Sequence, residues 1–512
     1  MHSKTKKSVR PRPVTVDTLA EGAGISPKDN LSATISYSPA ADTATSAGSL
    51  MAFIRSIIAS AGSPDLLEFA NLLLGLSLVD KDGNPRIQYK TEIIVVTVSA
   101  FDRHLQEHGS GAVMINGLPH VFTGTHWHLI EEGQLKTLLG EFAERIGNIA
   151  SDSRHYDFRD HLLKQSHSAL LAEVALNDPN QVLINFQNGT LVIDERGEHL
   201  RDFDRKDLLT YQLPFAYDEH ARCELFDNYL TRVLPDISSQ KVLAEFFGWI
   251  FVKNLKLEKV LVLYGDGHNG KSVLFDVVNA LLDEQNVSNI GLSSLSKMEN
   301  RFRLSSALLN FGSEISDRCE ADLFKKLASG EPVEARRLYK DSYTIRNYAR
   351  LAFNANVLPK NTEQTAGFFR RFLIVPFTQT ITEEEKDPDL ASKIIAGELA
   401  GVFNWVMHGL RCLRANREFT ICDAAIDALA AYRRESDSVE MFLEDQGVVS
   451  SVDGRLGKSD LYIEYRSYCQ SSGYCALSKN NFGKRLVLKH RITDSKSGSL
   501  RFWHLTRHED DE

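Results

Sequence analysis

The chain has 512 residues, of which 43% are hydrophobic and 25% are charged, and its net charge is −9. This balance excludes a uniformly basic protein that coats DNA, although it allows local basic surfaces. At roughly 100–200 residues per domain, the length predicts three or four structural units.

Cysteine usage and hydropathy indicate a cellular compartment. The six cysteines are scattered, without a C-x-x-C pair, which predicts neither a zinc site nor a disulfide framework and indicates a reducing environment: Cys223, Cys319, Cys412, Cys422, Cys469 and Cys475. No apolar run approaches the ~18 residues of a membrane span, and the N-terminus lacks the apolar core of a signal peptide. We expect a cytoplasmic protein of a bacterial or phage-infected cell, without a membrane partner.

The first 220 residues divide into a tail and a domain. Residues 1–48 begin with basic residues and continue rich in Ala, Ser and Thr, which predicts a disordered tail; a solvated tail is favoured over one that contacts DNA. Residues 49–220 predict an N-terminal α/β domain. Within it we expect a helix from residue 51, a strand over residues 92–98, a strand pair around residues 121–130, and a hairpin over residues 182–193 that turns at Asn188-Gly189.

Two histidines of this domain raise the question of a metal site. His126 and His128 would share one face of a strand, a spacing that can ligate a metal ion. Since no acidic or cysteine partner lies near them in the sequence, a structural role is favoured.

The remaining chain predicts four further segments. Residues 221–256 read as a helical lead-in, residues 257–395 as a nucleotide-binding core, residues 396–439 as a helical extension and residues 440–512 as a DNA-binding domain.

The segment from Val260 to Leu282 is the most informative part of the chain. An apolar run predicts a buried strand, a glycine-rich loop follows with the pattern G-x-x-x-x-G-K-S, and an apolar-periodic segment predicts a helix. This order is typical of a phosphate-binding loop, whose backbone N–H groups surround an anion. A chance glycine turn before a helix is the alternative. The residues predicted to bind ATP are Gly265, Asp266, Gly267, His268, Asn269, Gly270, Lys271, Ser272 and Val273.

Within the loop, Lys271 would reach the β- and γ-phosphates, and the Ser272 hydroxyl would ligate Mg²⁺. A second apolar strand, over residues 307–312, ends at Ser313-Glu314, and Glu314 is the candidate that polarises water and helps to hold Mg²⁺. A third strand ends at Asn356, whose amide could bind the γ-phosphate or the attacking water. Without the loop, Glu314 would be an ordinary strand-end acid and Asn356 a turn residue.

Arg370 and Arg371 precede a further strand. An arginine that points at a γ-phosphate stabilises the charge of phosphoryl transfer, often from a neighbouring subunit. A surface arginine pair in a salt bridge is the alternative.

Basic and aromatic residues alternate between the second and third strands. Basic groups bind phosphates and aromatic faces stack on bases, the combination by which proteins hold single strands, whereas a solvated charged loop is the alternative. The residues proposed for this contact are Lys326, Arg336, Arg337, Tyr339 and Lys340.

The last seventy residues predict a winged helix, in which a helix, a turn, a second helix and a hairpin follow one another, and the second helix could enter the major groove. Between residues 476 and 508 eight Lys and Arg face one acid, Asp494, a concentration typical of a phosphate-binding surface. A winged helix used for subunit contacts is the alternative. The candidates for DNA contact are Lys479, Lys484, Arg485, Lys489, Arg491, Lys496 and Arg501.

The ordered set of motifs resembles the superfamily 3 helicases of the AAA+ class, and most closely the phage/plasmid-type primase–helicases related to the poxvirus primase–helicase. In that family the phosphate loop corresponds to residues 265–272, the second acidic motif to Ser313-Glu314, and the DNA-translocating hairpin to residues 329–340. Asn356 corresponds to sensor 1, and Arg371, with Arg370 beside it, to the arginine finger. The similarity covers about residues 90–510.

This resemblance implies an ATP- and Mg²⁺-dependent DNA helicase that replicates a phage, prophage or plasmid-like element. It implies a homo-oligomer, expected to be a hexamer, with ATP between subunits and single- and double-stranded DNA as partners. Because no zinc cluster or metal-binding acidic triad precedes residue 250, we expect priming to come from a separate primase or polymerase. The alternatives are an assembly or defence ATPase that does not unwind DNA, and a DNA-binding replication initiator or primase-associated protein.

Overall fold

The computed structural model describes residues 47–60, 70, 82, 90–171, 181–313, 315, 320–338, 340–359, 363, 365–497 and 500–507. The chain divides into residues 1–50 and residues 51–512, and all contacts given below lie within the second unit. The predicted tail, residues 1–48, lies outside the described residues except for its last two.

The N-terminal region combines helices with two small antiparallel sheets. Its helices are α1 (Ala47–Ser60), α2 (Lys90–Glu107), α3 (Glu132–Arg145), α4 (Ala150–Arg154) and α5 (Tyr156–Ala169). The first sheet has the order β1-β2-β3 and contains β1 (Ala112–Ile115), β2 (Leu118–Phe122) and β3 (Trp127–Leu129). The second has the order β4-β5-β6 and contains β4 (Val182–Phe186), β5 (Gly189–Asp194) and β6 (Gly197–Arg201).

The strand predicted over residues 92–98 is wrong, because these residues belong to α2. Buried side chains recur along this helix at Ile94, Val98, Phe101 and Leu105, a spacing of three or four residues that places them on one face. The β-branched run alone favours a strand. The apolar period continues beyond it, and packing of this face against α5 outweighs the local preference.

The hairpin predicted over residues 182–193 is confirmed, with its turn one residue earlier. Phe186 pairs with Gly189, so Gln187 and Asn188 form the turn. Gly189 is the first residue of β5 and has φ 143°, a conformation that L-residues rarely adopt.

A five-stranded parallel sheet forms the centre of the chain, with the order β13-β7-β12-β9-β8. Its strands are β7 (Val260–Tyr264), β8 (Val287–Ser288), β9 (Leu309–Gly312), β12 (Arg350–Ala355) and β13 (Phe372–Pro376). Residues 260–263 of β7 are fully buried, as expected for a strand covered on both faces. The predicted α/β class is confirmed.

Helices and a hairpin surround this sheet. The helices are α6 (Glu224–Val233), α7 (Ile237–Trp249), α8 (Lys271–Leu282), α9 (Met298–Arg301), α10 (Ala321–Ser329), α11 (Ala366–Phe369), α12 (Leu390–Gly397), α13 (Leu399–Asn416) and α14 (Asp423–Glu435). The basic hairpin, residues 333–345, consists of β10 (Val333–Arg336) and β11 (Ser342–Ile345). Among the described helices none alone is long and apolar enough to cross a membrane, whereas α12 and α13 pass that test together as a pair bent by 85°.

The C-terminal region packs three helices on two small antiparallel sheets. The helices are α15 (Ser438–Asp445), α16 (Lys458–Ser471) and α17 (Lys479–Leu488). The sheets have the orders β14-β18 and β15-β17-β16, from β14 (Val448–Ser450), β15 (Leu456–Gly457), β16 (Asp494–Ser497), β17 (Leu500–Trp503) and β18 (Leu505–Arg507). Ser478 caps α17, because its side chain accepts a hydrogen bond from the Asn481 backbone N–H.

Candidate functional site

The glycine loop, residues 265–272, joins the carboxyl end of β7 to the start of α8. Gly267 and Gly270 have φ 101° and 84°, and His268 between them has φ 48°. Gly265 is pressed against the Asn269 side chain and the Phe377 carbonyl, so that a Cβ there would collide with both. The sequence folds in this way because glycine tolerates left-handed backbone and close approach.

Gly270 is fixed by the helix that precedes the sheet. The Tyr229 hydroxyl of α6 donates to the Gly270 carbonyl over 2.8 Å. A Cβ at Gly270 would lie 2.7 Å from Val233 Cγ1, closer than real side chains approach. The loop therefore depends on α6, whose contribution the sequence motif does not reveal.

Lys271 is the buried cation of this loop, with 6% of its surface exposed. Its Nζ donates to the Gly265 carbonyl over 2.5 Å and to Asn269 Oδ1 over 3.1 Å, and burial lowers the pKa of the ammonium. Asn269 is held in turn through its Nδ2, which donates to the Phe377 carbonyl. A buried cation beside a helix start and left-handed glycines is the geometry in which a phosphate group binds. These residues therefore fit a phosphate group, such as one of a nucleoside triphosphate, whose binding stays a prediction.

Ser272 and Asp266 are exposed at the mouth of the loop. The Ser272 hydroxyl could ligate Mg²⁺ bound to a triphosphate. Within the described residues, no group of three or more His, Cys, Asp or Glu side chains is placed to hold a metal ion, and His126 and His128 have ring centroids 5.8 Å apart. Glu314, the other predicted Mg²⁺ residue, lies outside the described residues.

The sheet register brings two of the predicted strand ends to the loop. Ala355 pairs with Tyr264, so Asn356 follows β12 beside the start of the loop, and its side chain is exposed. Gly312 of β9 pairs with Phe353, so Ser313 follows at the same carboxyl edge. The roles of Asn356 and Glu314 stay predictions.

The sequence reasoning missed Asn354. This residue lies on β12 opposite Leu263 of β7, two positions before Asn356, which follows the strand. Its buried Oδ1 accepts no hydrogen bond within the described residues. A buried acceptor without a partner costs about 1–3 kcal/mol, which favours a functional reason for this amide. Only its position on an apolar strand could have indicated it.

The two predicted arginines lie at the other edge of the sheet, before β13, whose Phe372 pairs with Val260 at the start of β7. Arg371 is buried with 8% exposure, and its guanidinium donates to Ser329 Oγ over 2.8 Å and to the Gly367 carbonyl. Arg370 is exposed and donates to Glu258 Oε2 over 2.6 Å. Both arginines contact Glu258, as in the salt-bridge alternative, but Arg370 is the more exposed one and could reach a neighbouring molecule by exchanging this partner.

The cations of the basic hairpin all have acidic partners. Arg336 pairs with Glu299, Arg337 with Glu131 over 3.0 Å, and Lys340 with Glu132 over 2.7 Å. Arg337 also lies over the Phe302 ring and is largely buried. Burial acts to raise the pKa of Glu132, but the Lys340 ammonium holds that pKa below its usual value.

Glu131 and Glu132 stand at the start of α3. For a nucleic-acid strand to bind the hairpin here, its phosphates would have to replace these carboxylates as the partners of Arg337 and Lys340. Lys326, on α10, is exposed, and Tyr339 lies outside the described residues.

In the C-terminal region two of the predicted DNA contacts are already engaged. Arg485 and Lys489 of α17 contact Asp437 Oδ2 at 3.0 and 2.7 Å, and Asp437 is only 1% exposed. Asp437 also caps α15, since it accepts from the backbone of Val439 and Glu440. The prediction that Arg485 and Lys489 bind DNA is not supported by this arrangement, because both cations hold α17 to α15.

The other five predicted DNA contacts of this region are exposed to solvent. Lys496 and Arg501 lie directly opposite each other on β16 and β17, and like charges in that position destabilise a sheet. Such a pair is typical of a surface that binds an anion. The remaining predicted DNA contacts are all exposed: Lys479, which donates to Ser459, Lys484, Arg491, Lys496 and Arg501.

Three segments of the chain match models of known families. Residues 100–235 match "D5 N terminal like", residues 263–371 match a family of unknown function, DUF5906, and residues 434–491 match "Poxvirus D5 protein-like". The second segment contains the glycine loop, the basic hairpin and both arginines.

Relatives with helicase names are found among viral proteins. The chain is 22% identical over 384 residues to "Putative helicase 121R" of Invertebrate iridescent virus 3 and 24% identical over 357 residues to "Putative helicase L207/L206" of Acanthamoeba polyphaga mimivirus. These alignments cover 66% and 62% of this chain but only 40% and 36% of the relatives.

Solved structures similar to this chain include the apo C terminal region of NrS-1, with a TM-score of 0.45 and 13% identity, over 79% of this chain and 98% of that one. The matched models and relatives confirm the resemblance to the poxvirus-related primase–helicases: the chain carries the D5 N-terminal-like and poxvirus D5-like domains of that family.

Proposed function

We propose that the chain is an ATP-driven DNA helicase of superfamily 3, which works as a ring of identical subunits, expected to number six, in the replication of a phage, prophage or plasmid-like element. Its glycine loop would bind ATP with Mg²⁺ as a P-loop of an AAA+ core, and its C-terminal region would act as a DNA-binding winged helix. Family membership and the helicase names of the viral relatives support activity on DNA.

The loop and the arginines lie at opposite ends of neighbouring strands in one sheet, and this placement gives the most direct support for a ring of subunits. The loop follows the end of β7, whereas Arg370 precedes β13, which starts level with the first residue of β7. Five residues of strand separate these positions by about 16 Å. Arg370 therefore cannot reach the phosphates bound by its own loop, but it could reach those of an adjacent subunit.

The residues near the loop would have distinct tasks in hydrolysis. Lys271 would stabilise the phosphate charge, Ser272 and Glu314 would hold Mg²⁺, and Glu314 would also polarise the attacking water. Asn356, and Asn354 beside it, would orient that water or the γ-phosphate. Arg370 would neutralise charge from the next subunit, while Arg371 holds the chain segment that carries it.

Unwinding would use the basic hairpin, which we propose grips one strand through Arg336 and Lys340. We expect Lys340→Ala to keep most of the DNA-independent ATP hydrolysis and to lose strand displacement, because the ammonium is exposed, pairs with Glu132 and belongs to the basic hairpin, not to the glycine loop. Steady-state ATPase and displacement of a labelled strand measure the two activities separately.

Glu132→Gln is the matched control for the hairpin. It frees the Lys340 ammonium without removing it and should strengthen single-strand binding while leaving displacement in place. Normal displacement by Lys340→Ala would exclude this lysine from the motor.

The two alternative functions would give different experimental results. An assembly or defence ATPase would hydrolyse ATP without displacing a strand, and a replication initiator would protect one discrete DNA site from nuclease. We favour the helicase because the basic hairpin lies in the same chain segment as the loop and the arginines. A separate primase or polymerase would supply primers, which a primer-synthesis assay with labelled ribonucleotides would test.

A further inference from the structure

A pocket of about 180 Å³ opens at the amino edge of the parallel sheet, opposite the glycine loop. One wall is the end of α7 with the loop that leads to β7. The other walls are residues 327–330, which lead into the basic hairpin, and residues 347–351, which lead out of it. We call this cavity the basal pocket, since it lies at the base of the hairpin.

Among the described residues that line the basal pocket, none is a carboxylate and four are cations: Lys253, Lys256, Lys259 and Arg350. Lys259 Nζ donates to the Arg370 carbonyl over 2.7 Å, and Arg350 donates to the Val252 carbonyl and lies 3.8 Å from the centre of the Trp249 ring. Neutral acceptors thus fix two of the cations without compensating their charge.

Glu258 is an acid that several cations share at this end of the sheet. Glu258 contacts Lys256 at 3.4 Å but also Arg370 at 2.6 Å and Arg371 at 3.5 Å, so its charge is shared among three cations. Burial and the nearby charge of Arg370 lower the pKa of Lys259. Burial also lowers the pKa of Arg350 to about 10. Burial disfavours the charged form of these side chains, so a bound anion would stabilise that form strongly.

We propose that the basal pocket binds a backbone phosphate of the nucleic-acid strand that the basic hairpin holds. The four-residue strands of the hairpin extend about 13 Å from the pocket, a distance that a few nucleotides cover at about 3.4 Å each. The pocket would give the strand a second anchor at the hairpin's base. This inference rests on the proposed function, because it requires the hairpin to bind a strand.

The phosphates of a free nucleotide share this chemistry, so the experiment has two arms. The double variant Lys253→Ala/Lys256→Ala removes two cations that are exposed. Binding of a labelled oligothymidine is measured by fluorescence anisotropy over a range of salt concentrations, and binding of a fluorescent ATP analogue is measured in parallel. Lys241→Ala, an exposed lysine earlier in α7, is the matched control.

We expect the double variant to bind the oligonucleotide several-fold more weakly. The slope of log affinity against log salt should fall by about 0.7 for each lost phosphate contact. Nucleotide affinity should not change, and Lys241→Ala should alter neither. An unchanged salt slope overturns the proposal. Lost nucleotide affinity with normal strand binding would instead assign the pocket to a free nucleotide, which also overturns it.

Lys340→Ala, measured in the same assay, separates the two claims. If Lys340→Ala weakens strand binding and the double variant does not, the hairpin function stands and the basal pocket fails. If the unaltered protein binds no strand, both fail.

Discussion

Lys271→Ala should abolish ATP hydrolysis and strand displacement together. The ammonium is buried at the start of α8 and is the only cation of the glycine loop, residues 265–272. Removal of one such stabilising group from a phosphoryl-transfer site costs about 100-fold or more in rate. A colorimetric phosphate assay and a displacement assay on the same preparation measure both activities.

Lys241→Ala controls for the loss of a lysine elsewhere on the protein, and thermal unfolding of both variants shows whether the fold persists. The predicted outcome is a folded Lys271→Ala protein without either activity. Normal ATP turnover in that protein would remove the glycine loop from the mechanism.

Asp437→Ala should strongly destabilise the C-terminal region. Asp437 is almost completely buried, caps α15 and binds Arg485 and Lys489 of α17. Its loss removes the carboxylate that Arg485 contacts and leaves Lys489 with Glu440 alone. Because the cations are partly exposed, we expect the cost to fall at or below the lower end of the about 3–5 kcal/mol measured for breaking a buried ion pair. Chemical denaturation monitored by tryptophan fluorescence reports this region through Trp503, which is buried in it.

Asp453→Ala is the matched control, because Asp453 is exposed on the same region and should change stability by no more than about 0.5 kcal/mol. Equal stability of the two variants would contradict the role of Asp437.

The ion pairs of the Asp437 carboxylate also predict how the stability of the protein depends on pH. Burial acts to raise the pKa of Asp437, but Lys489 and Arg485 hold it below the usual 3.8. A carboxylate with a depressed pKa stabilises the fold above its unfolded pKa, and this contribution disappears as the pH falls through its folded pKa. The stability gap between the natural protein and Asp437→Ala should therefore be constant near neutrality and shrink below about pH 4.

Local sequence patterns correctly predicted the elements that form through residues close to one another in the chain. The strand, glycine loop and helix around Lys271 follow from spacing that spans fewer than thirty residues, and the structure places all three in that order. Residues 92–98 show where such patterns fail: a β-branched run satisfies strand preference and helix period equally, and only packing against α5 decides.

Ion pairs between distant residues could not be predicted. Arg337 and Lys340 meet Glu131 and Glu132 across 206 and 208 residues of sequence. A count of basic residues in the C-terminal region likewise cannot tell that Asp437 occupies Arg485 and Lys489, whereas Lys496 and Arg501 remain exposed. Charge composition predicts that an anion-binding surface exists, but the fold decides which cations are available.

The central proposal is that ATP binds between two subunits, in contact with the glycine loop of one and Arg370 of the other. Mixing two inactive variants tests it most directly. Lys271→Ala removes the loop's cation and Arg370→Ala removes the group donated to the next subunit, so each protein alone should be inactive. A mixture should regain ATP hydrolysis, because a loop from an Arg370→Ala subunit can face an arginine from a Lys271→Ala subunit. A mixture as inactive as its components, or full activity of Arg370→Ala as a solitary subunit, would contradict the shared site.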